Sequence, residues 1–173
     1  MQKKPYWYVL NTRSRFENVV NDKLTKKSIE VFLPKIRVRS KRRDRKVIIS
    51  IPLFPGYLFV KTELNPLEHI EILKTVGAVR FLGWASGPVP MPSDIIESLS
   101  IMVKADKHIL VQKGFKKGDK AIVSSGPFAG VTGNFIRRRG KGRVIINVII
   151  LNNYAEIDVD EQDIEFLTDT MIS

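Results

Sequence analysis

In the run Pro52-Leu53-Phe54-Pro55-Gly56-Tyr57-Leu58-Phe59-Val60, two prolines and a glycine mark a turn, and the apolar residues behind them read as a strand. Just upstream, Val47-Ile48-Ile49-Ser50-Ile51 is a second strand pattern. Before it, Ser40-Lys41-Arg42-Arg43-Asp44-Arg45-Lys46 has no apolar residue at all. Residues 29–38 are again strand-like, with a break at Pro34, so two strands around a basic tip predict a long hairpin.

Further out, Tyr6-Trp7-Tyr8-Val9-Leu10 is β-rich and reads as the first strand. Ser14, with Glu17 three residues on, has the spacing of a helix start. Phe16, Val19, Val20 and Leu24 then give the expected buried stripe, with Lys23, Lys26 and Lys27 off it. Downstream, Pro66 suits the first turn of a helix carrying Leu67, Ile70 and Leu73 and ending near Gly77. Val79-Arg80-Phe81-Leu82 is a short strand. After a Gly/Pro-rich stretch, Ser93 is the expected cap of a helix bearing Ile95, Ile96, Leu99, Met102 and Val103. The order β-α-β-β-β-α-β-α predicts an α+β sandwich over residues 1–104.

Residues 105–117 read as a linker, and from Gly118 the pattern changes. Five short β-branched runs, separated by turn signals, occupy residues 118–173 and predict a small five-stranded β-barrel, because closure removes exposed edges. Val144-Ile145-Ile146-Asn147-Val148-Ile149-Ile150 is nearly all β-branched and a poor helix former, so a constitutive barrel is expected.

The chain of 173 residues is 43% hydrophobic and carries a formal charge of +11, so an anionic partner is the default expectation. The charge is uneven. Residues 1–104 hold 19 Lys and Arg against 9 Asp and Glu, residues 105–117 hold 4 against 1, and residues 118–173 hold 6 against 8. The front is therefore the candidate nucleic-acid side. There is no cysteine, which excludes disulfides and thiolate chemistry. The opening residues lack a signal-peptide apolar stretch, and the longest apolar run is too short to span a bilayer; a soluble, cytoplasmic protein and no membrane partner are expected.

An enzyme is not expected. The two histidines, His69 and His108, fall in different elements without metal-ligand spacing. The acidic run Asp158-Val159-Asp160-Glu161-Gln162-Asp163 lacks the glycine and terminal glutamate of a calcium loop and reads as a solvated turn. No nucleophile–base pair is present, and no catalytic residue, metal or cofactor is assigned. The run Gly126-Pro127-Phe128-Ala129-Gly130-Val131-Thr132-Gly133 lies between strands, which rules out a phosphate cradle ahead of a helix.

That Gly-rich run, with its flanking strands, resembles the KOW motif, in which glycines permit a tight reversal and an aromatic residue, here Phe128, folds under to plug the barrel. Trp7-Tyr8-Val9-Leu10, Phe32-Leu33-Pro34, the run 52–60 and Val79-Arg80-Phe81-Leu82-Gly83 resemble, in the same order, the amino-terminal (NGN-type) domain of the NusG family of transcription elongation factors. The basic hairpin tip and residues 79–92 look closer to its specialised, RfaH-like antitermination paralogues. The His-Thr-Thr element of those paralogues is not reproduced at Glu68-His69-Ile70.

The resemblance implies a monomer whose first domain docks on the clamp helices of RNA polymerase, with Phe54, Tyr57, Phe59 and Phe81 as candidates for the apolar docking surface. It implies contacts to non-template DNA or nascent RNA through Arg13, Arg15, Lys23, Lys26 and Lys27, with Arg42, Arg43 and Arg45 at the hairpin tip reaching duplex DNA. It also implies a barrel that recruits a protein, either a small-subunit ribosomal protein or the terminator Rho. The competing reading, a ribosome-associated KOW protein binding rRNA, calls for basic surface on both domains, against which the acidic balance of residues 118–173 argues.

Overall fold

The computed structural model describes residues 4–41 and 47–167. The chain divides into two compact units, Met1–Ser93 and Asp94–Ser173.

The front unit contains β1 (Tyr6–Thr12), α1 (Glu17–Lys26), β2 (Glu30–Phe32), β3 (Lys35–Arg39), β4 (Ile48–Pro52), β5 (Tyr57–Thr62), α2 (Pro66–Leu73), β6 (Ala78–Phe81), β7 (Gly83–Trp84), β8 (Gly87–Pro88) and β9 (Pro90–Met91). Its main sheet runs β2-β5-β1-β6, with β9 also pairing β1. All pairings are antiparallel, with Leu10 opposite Leu58 on one side and Phe81 on the other. Alternation along the strands gives the sheet two faces. On one, Tyr8, Leu10, Leu58, Val60 and Phe81 pack with Val20 and Leu24 of α1 and Ile72 of α2. On the other lie Trp7, Val9 and Phe59, also buried.

Several local expectations are revised by tertiary packing. Ser14 does not cap α1; the N-cap position is Phe16, with no side-chain cap bond. The Glu17 carboxylate instead turns inward and accepts from Gly56 N at 2.7 Å. Val19 is exposed, because the helix sits on Glu17, Val20 and Leu24 and a neighbour 100° away falls outside that face. In α2 Asn65 caps Glu68 N and Pro66 occupies the first turn, as its backbone suits. Leu73 packs on the core as expected and Ile72 is buried beside it, while Leu67 is 82% exposed and Ile70 is also exposed. Pro34, which has no N–H to donate to a ladder, separates β2 from β3. β3 and β4 form the hairpin as a separate two-stranded ribbon, registered Lys35–Pro52 through Arg39–Ile48.

The second unit begins with α3 (Ser93–Lys104) and continues through β10 (Leu110–Lys113), β11 (Asp119–Val123), β12 (Thr132–Arg138), β13 (Lys141–Val148), β14 (Asn153–Val159) and β15 (Ile164–Phe166). The ladder order is β10-β14-β13-β12-β11-β15, the five expected strands plus a sixth taken from the expected linker; no pairing joins its two ends among the described residues. Phe135, Val144, Ile146 and Ile157 fill its core, and Phe128 is buried as the Gly-rich turn requires. Gly126 (φ 80°) and Gly130 (φ 92°) take the left-handed conformations of that turn.

Two polar clamps tie α3 and the segment joining β10 to β11 to the strands of this unit. Ser98 Oγ of α3 accepts from Thr132 N at 3.0 Å and donates to Thr132 O at 3.3 Å. Asn147, the one polar residue in the β-branched run 144–150, accepts from Lys116 N at 3.0 Å and donates to Lys116 O at 2.9 Å. An amide side chain thus satisfies both backbone groups of a residue in the segment joining β10 to β11. Both clamps lie within the unit Asp94–Ser173.

Candidate functional surfaces

The loop between β1 and α1 is held by backbone rather than by its own side chains. Thr12 N donates to Gly56 O and Arg13 N to Gly77 O, each at 2.8 Å, and Phe16 N closes a turn on Arg13 O at 3.0 Å. Asn11 Nδ2 also donates to Gly56 O, at 3.0 Å. Gly77 (φ 95°) has to be glycine on two counts, since an added Cβ would also sit 2.6 Å from the Phe16 ring. With the loop fixed, Arg13 and Arg15 project as exposed side chains, Arg15 from a left-handed backbone at φ 66°.

On α1, Lys23 and Lys26 are exposed with them, and none of these four cations makes an ion pair among the described residues. Lys27 differs: its Nζ lies 3.7 Å from Glu71 Oε1 and donates to Glu71 O at 3.3 Å. Arg42, Arg43 and Arg45 lie outside the described residues. The β3–β4 ribbon adds a basic face. Its two-residue period puts Lys35, Arg37 and Arg39 on one face and Ile36, Val38, Ile49 and Ile51 on the other. The alternation in Lys35-Ile36-Arg37-Val38-Arg39 was the available signal.

The four aromatic candidates do not form one surface. Phe54 meets Phe59 edge-on with ring centroids 6.3 Å apart, and Phe59 stacks on Phe32 at 5.9 Å. Phe81 lies on the opposite face, edge-on to Tyr8 at 6.1 Å and 5.5 Å from His69. Phe54, Phe59 and Phe81 are all buried, whereas Tyr57, opposite Asn11 at the sheet end, is half-buried. Burial pushes the Tyr8 phenol up, with a smaller contribution from Tyr6.

In the second unit the acidic run is largely engaged. Glu161 takes a bidentate bond from Arg137, which holds its carboxyl below the usual range, and Asp163 accepts from Ser125. Arg143 reaches both Glu156, which is almost fully buried, and Asp158. Gln112 of β10 donates to the same Glu156 carboxylate at 3.0 Å and accepts from Tyr154 OH at 3.1 Å. At the turn after β13, Ile149 is 65% exposed. Among the described residues no cluster of His, Cys, Asp or Glu could hold a metal, and no helix is long and apolar enough to cross a membrane.

Residues 5–100 match the family model described as transcription termination factor nusG. The chain is 29% identical over 177 residues to the transcription termination/antitermination protein NusG of Thermus thermophilus, covering 90% of this chain and 96% of that protein. It is 24% identical to the NusG of Borreliella burgdorferi, covering 92% and 97%. A solved structure of Thermotoga maritima NusG shares the fold at a TM-score of 0.53 and 21% identity, over 97% of this chain and 100% of that one. With the family region spanning the sheet, both front helices and the loop that carries Arg13 and Arg15, the chain belongs to the NusG family of transcription termination and antitermination factors.

Proposed function

We propose that the front unit docks on RNA polymerase and guides nucleic acid beside it, while the second unit recruits a protein. What carries this reading is the coincidence of the family region, residues 5–100, with a fixed loop and helix that present four cations outside any ion pair among the described residues, Arg13, Arg15, Lys23 and Lys26. Cations held on a rigid scaffold and left without carboxylates suit phosphate contact. Lys27 contributes less, since Glu71 already holds it. The arginines at 42, 43 and 45 extend the same reading toward duplex DNA.

For the polymerase contact, Tyr57 is the reachable member of the aromatic set, on the same sheet face as Phe59, against which Phe54 packs. Phe81 acts from the helix side as core support. The partner of the second unit meets the exposed Ile149 turn. The basic hairpin supports a specialised antitermination role.

Binding of the purified chain to core RNA polymerase tests this. Saturable binding is expected, weakened roughly tenfold by Tyr57→Ala, the scale of an interfacial aromatic anchor. Retention on ribosomal subunits with none on polymerase would overturn it.

A further inference from the structure

The β12–β13 hairpin ends in a two-residue turn, with Arg138 and Lys141 as the closing pair and Arg139 and Gly140 both at positive φ (51° and 74°). This is the primed turn that matches strand twist, and it gives a short, rigid tip. Five cations lie in seven residues here, at 137, 138, 139, 141 and 143, and the structure sorts them into two groups. Arg137 is locked by Glu161, and Arg143 by Glu156 and Asp158, so the base of the hairpin is neutralised and fixed. Arg138, Arg139 and Lys141 are exposed and make no ion pair among the described residues.

This arrangement has a cost. Like charges directly opposite each other on a hairpin are destabilising, and Arg139 adds a third between them in a conformation that asparagine or glycine adopts more readily. The acids nearby offset it only in part: Asp158, Asp160 and Glu161 line a hollow with Lys141, but Asp158 and Glu161 are already paired with Arg143 and Arg137, and Asp160 makes no ion pair among the described residues. A locally unfavourable charge cluster on a rigid support marks a functional surface.

We propose that Arg138, Arg139 and Lys141 form a phosphate-binding finger through which the second unit touches the backbone of a nucleic acid. A nucleic acid fits better than an acidic protein because the tip offers no exposed apolar residue to anchor one. The exposed Ile149 stands at the far end of β13, roughly 25 Å away at the rise of a strand. The unit thus has a basic pole and an apolar pole, and one partner can occupy each. With three phosphate contacts the finger supplements, rather than replaces, the cations of the front unit.

The test uses the full chain carrying Arg138→Gln, Arg139→Asn and Lys141→Gln. Asparagine followed by glycine is the favoured pairing for this turn, so the variant retains the hairpin, which circular dichroism and amide shifts check. Affinity for single-stranded DNA, duplex DNA and RNA of one sequence is measured across salt, beside a front-unit variant with Arg13, Lys23 and Lys26 changed to Gln. On at least one nucleic acid the finger variant should bind roughly tenfold more weakly at low salt, with a slope of log K against log salt shallower by about 2. The arm that changes identifies the nucleic acid. Unchanged slopes and affinities in all three arms would overturn the proposal, as would a loss confined to an acidic protein probe. A loss in the front-unit variant alone would leave the front reading standing and remove the finger.

Discussion

The two units treat charge in opposite ways. With the division at residue 93, the front holds 18 Lys and Arg against 7 Asp and Glu, and the back holds 11 against 11. All of the net charge is therefore in the front unit, whose loop and α1 leave Arg13, Arg15, Lys23 and Lys26 without carboxylates among the described residues. The back unit instead commits acids to fixing arginines, and its β12–β13 hairpin leaves the three tip cations outside those pairs. The lesson is that a basic run has to be divided residue by residue. Arg137 and Arg143 are held in ion pairs, and the cations between them are not.

Leu58→Ala, in the fully buried helix-side core of the front unit, should cost about 2–5 kcal/mol, read by denaturant unfolding with amide exchange to locate the loss in residues 6–81. An equal loss of protection across the strands of the back unit would mean that the two are not separate cooperative bodies. Asn147→Ala removes both bonds to Lys116 and should cost about 2 kcal/mol, with exchange accelerating in residues 114–118. If that segment exchanges as before, the clamp is not what holds it.

Neutralising Arg13, Lys23 and Lys26 with glutamine should weaken single-stranded nucleic-acid binding roughly tenfold at low salt, while Lys27→Gln should change it less because Glu71 already holds that group. Equal effects would remove the distinction between paired and unpaired cations. The smallest effect concerns Glu161, whose carboxyl Arg137 holds below its usual value. A carboxylate with a lowered folded-state value stabilises above the unfolded value, near ~4.3, and loses that contribution as pH falls through the folded value. Carbon-detected titration should place the Glu161 midpoint below the ordinary glutamate value of about 4.3. A midpoint at that ordinary value would show the Arg137–Glu161 pair to be open in solution.

What the sequence made legible was local. Strand positions, the proline start of α2, the buried Phe128 and the Gly-rich turn follow from residue type and spacing, and each is found. What it hid was carried by side chains acting across distance. The Glu17 carboxylate serves Gly56, Ser98 serves Thr132 and Asn147 serves Lys116, over separations of 39, 34 and 31 residues. The first takes the place of the expected cap, the second ties α3 to β12, and the third holds the segment joining β10 to β11. The aromatic candidates show the same limit: residue type points to apolar strands, but only the register puts Phe81 and Phe59 on opposite faces.

Hydrogen–deuterium exchange of the full chain, with and without core RNA polymerase, tests the division of labour most directly. New protection is expected around residues 54–59 and along the β1–α1 loop, with the turn at Ile149 exchanging as in the free protein. Protection confined to residues 94–173, with the front unchanged, would show that polymerase binds the second unit instead.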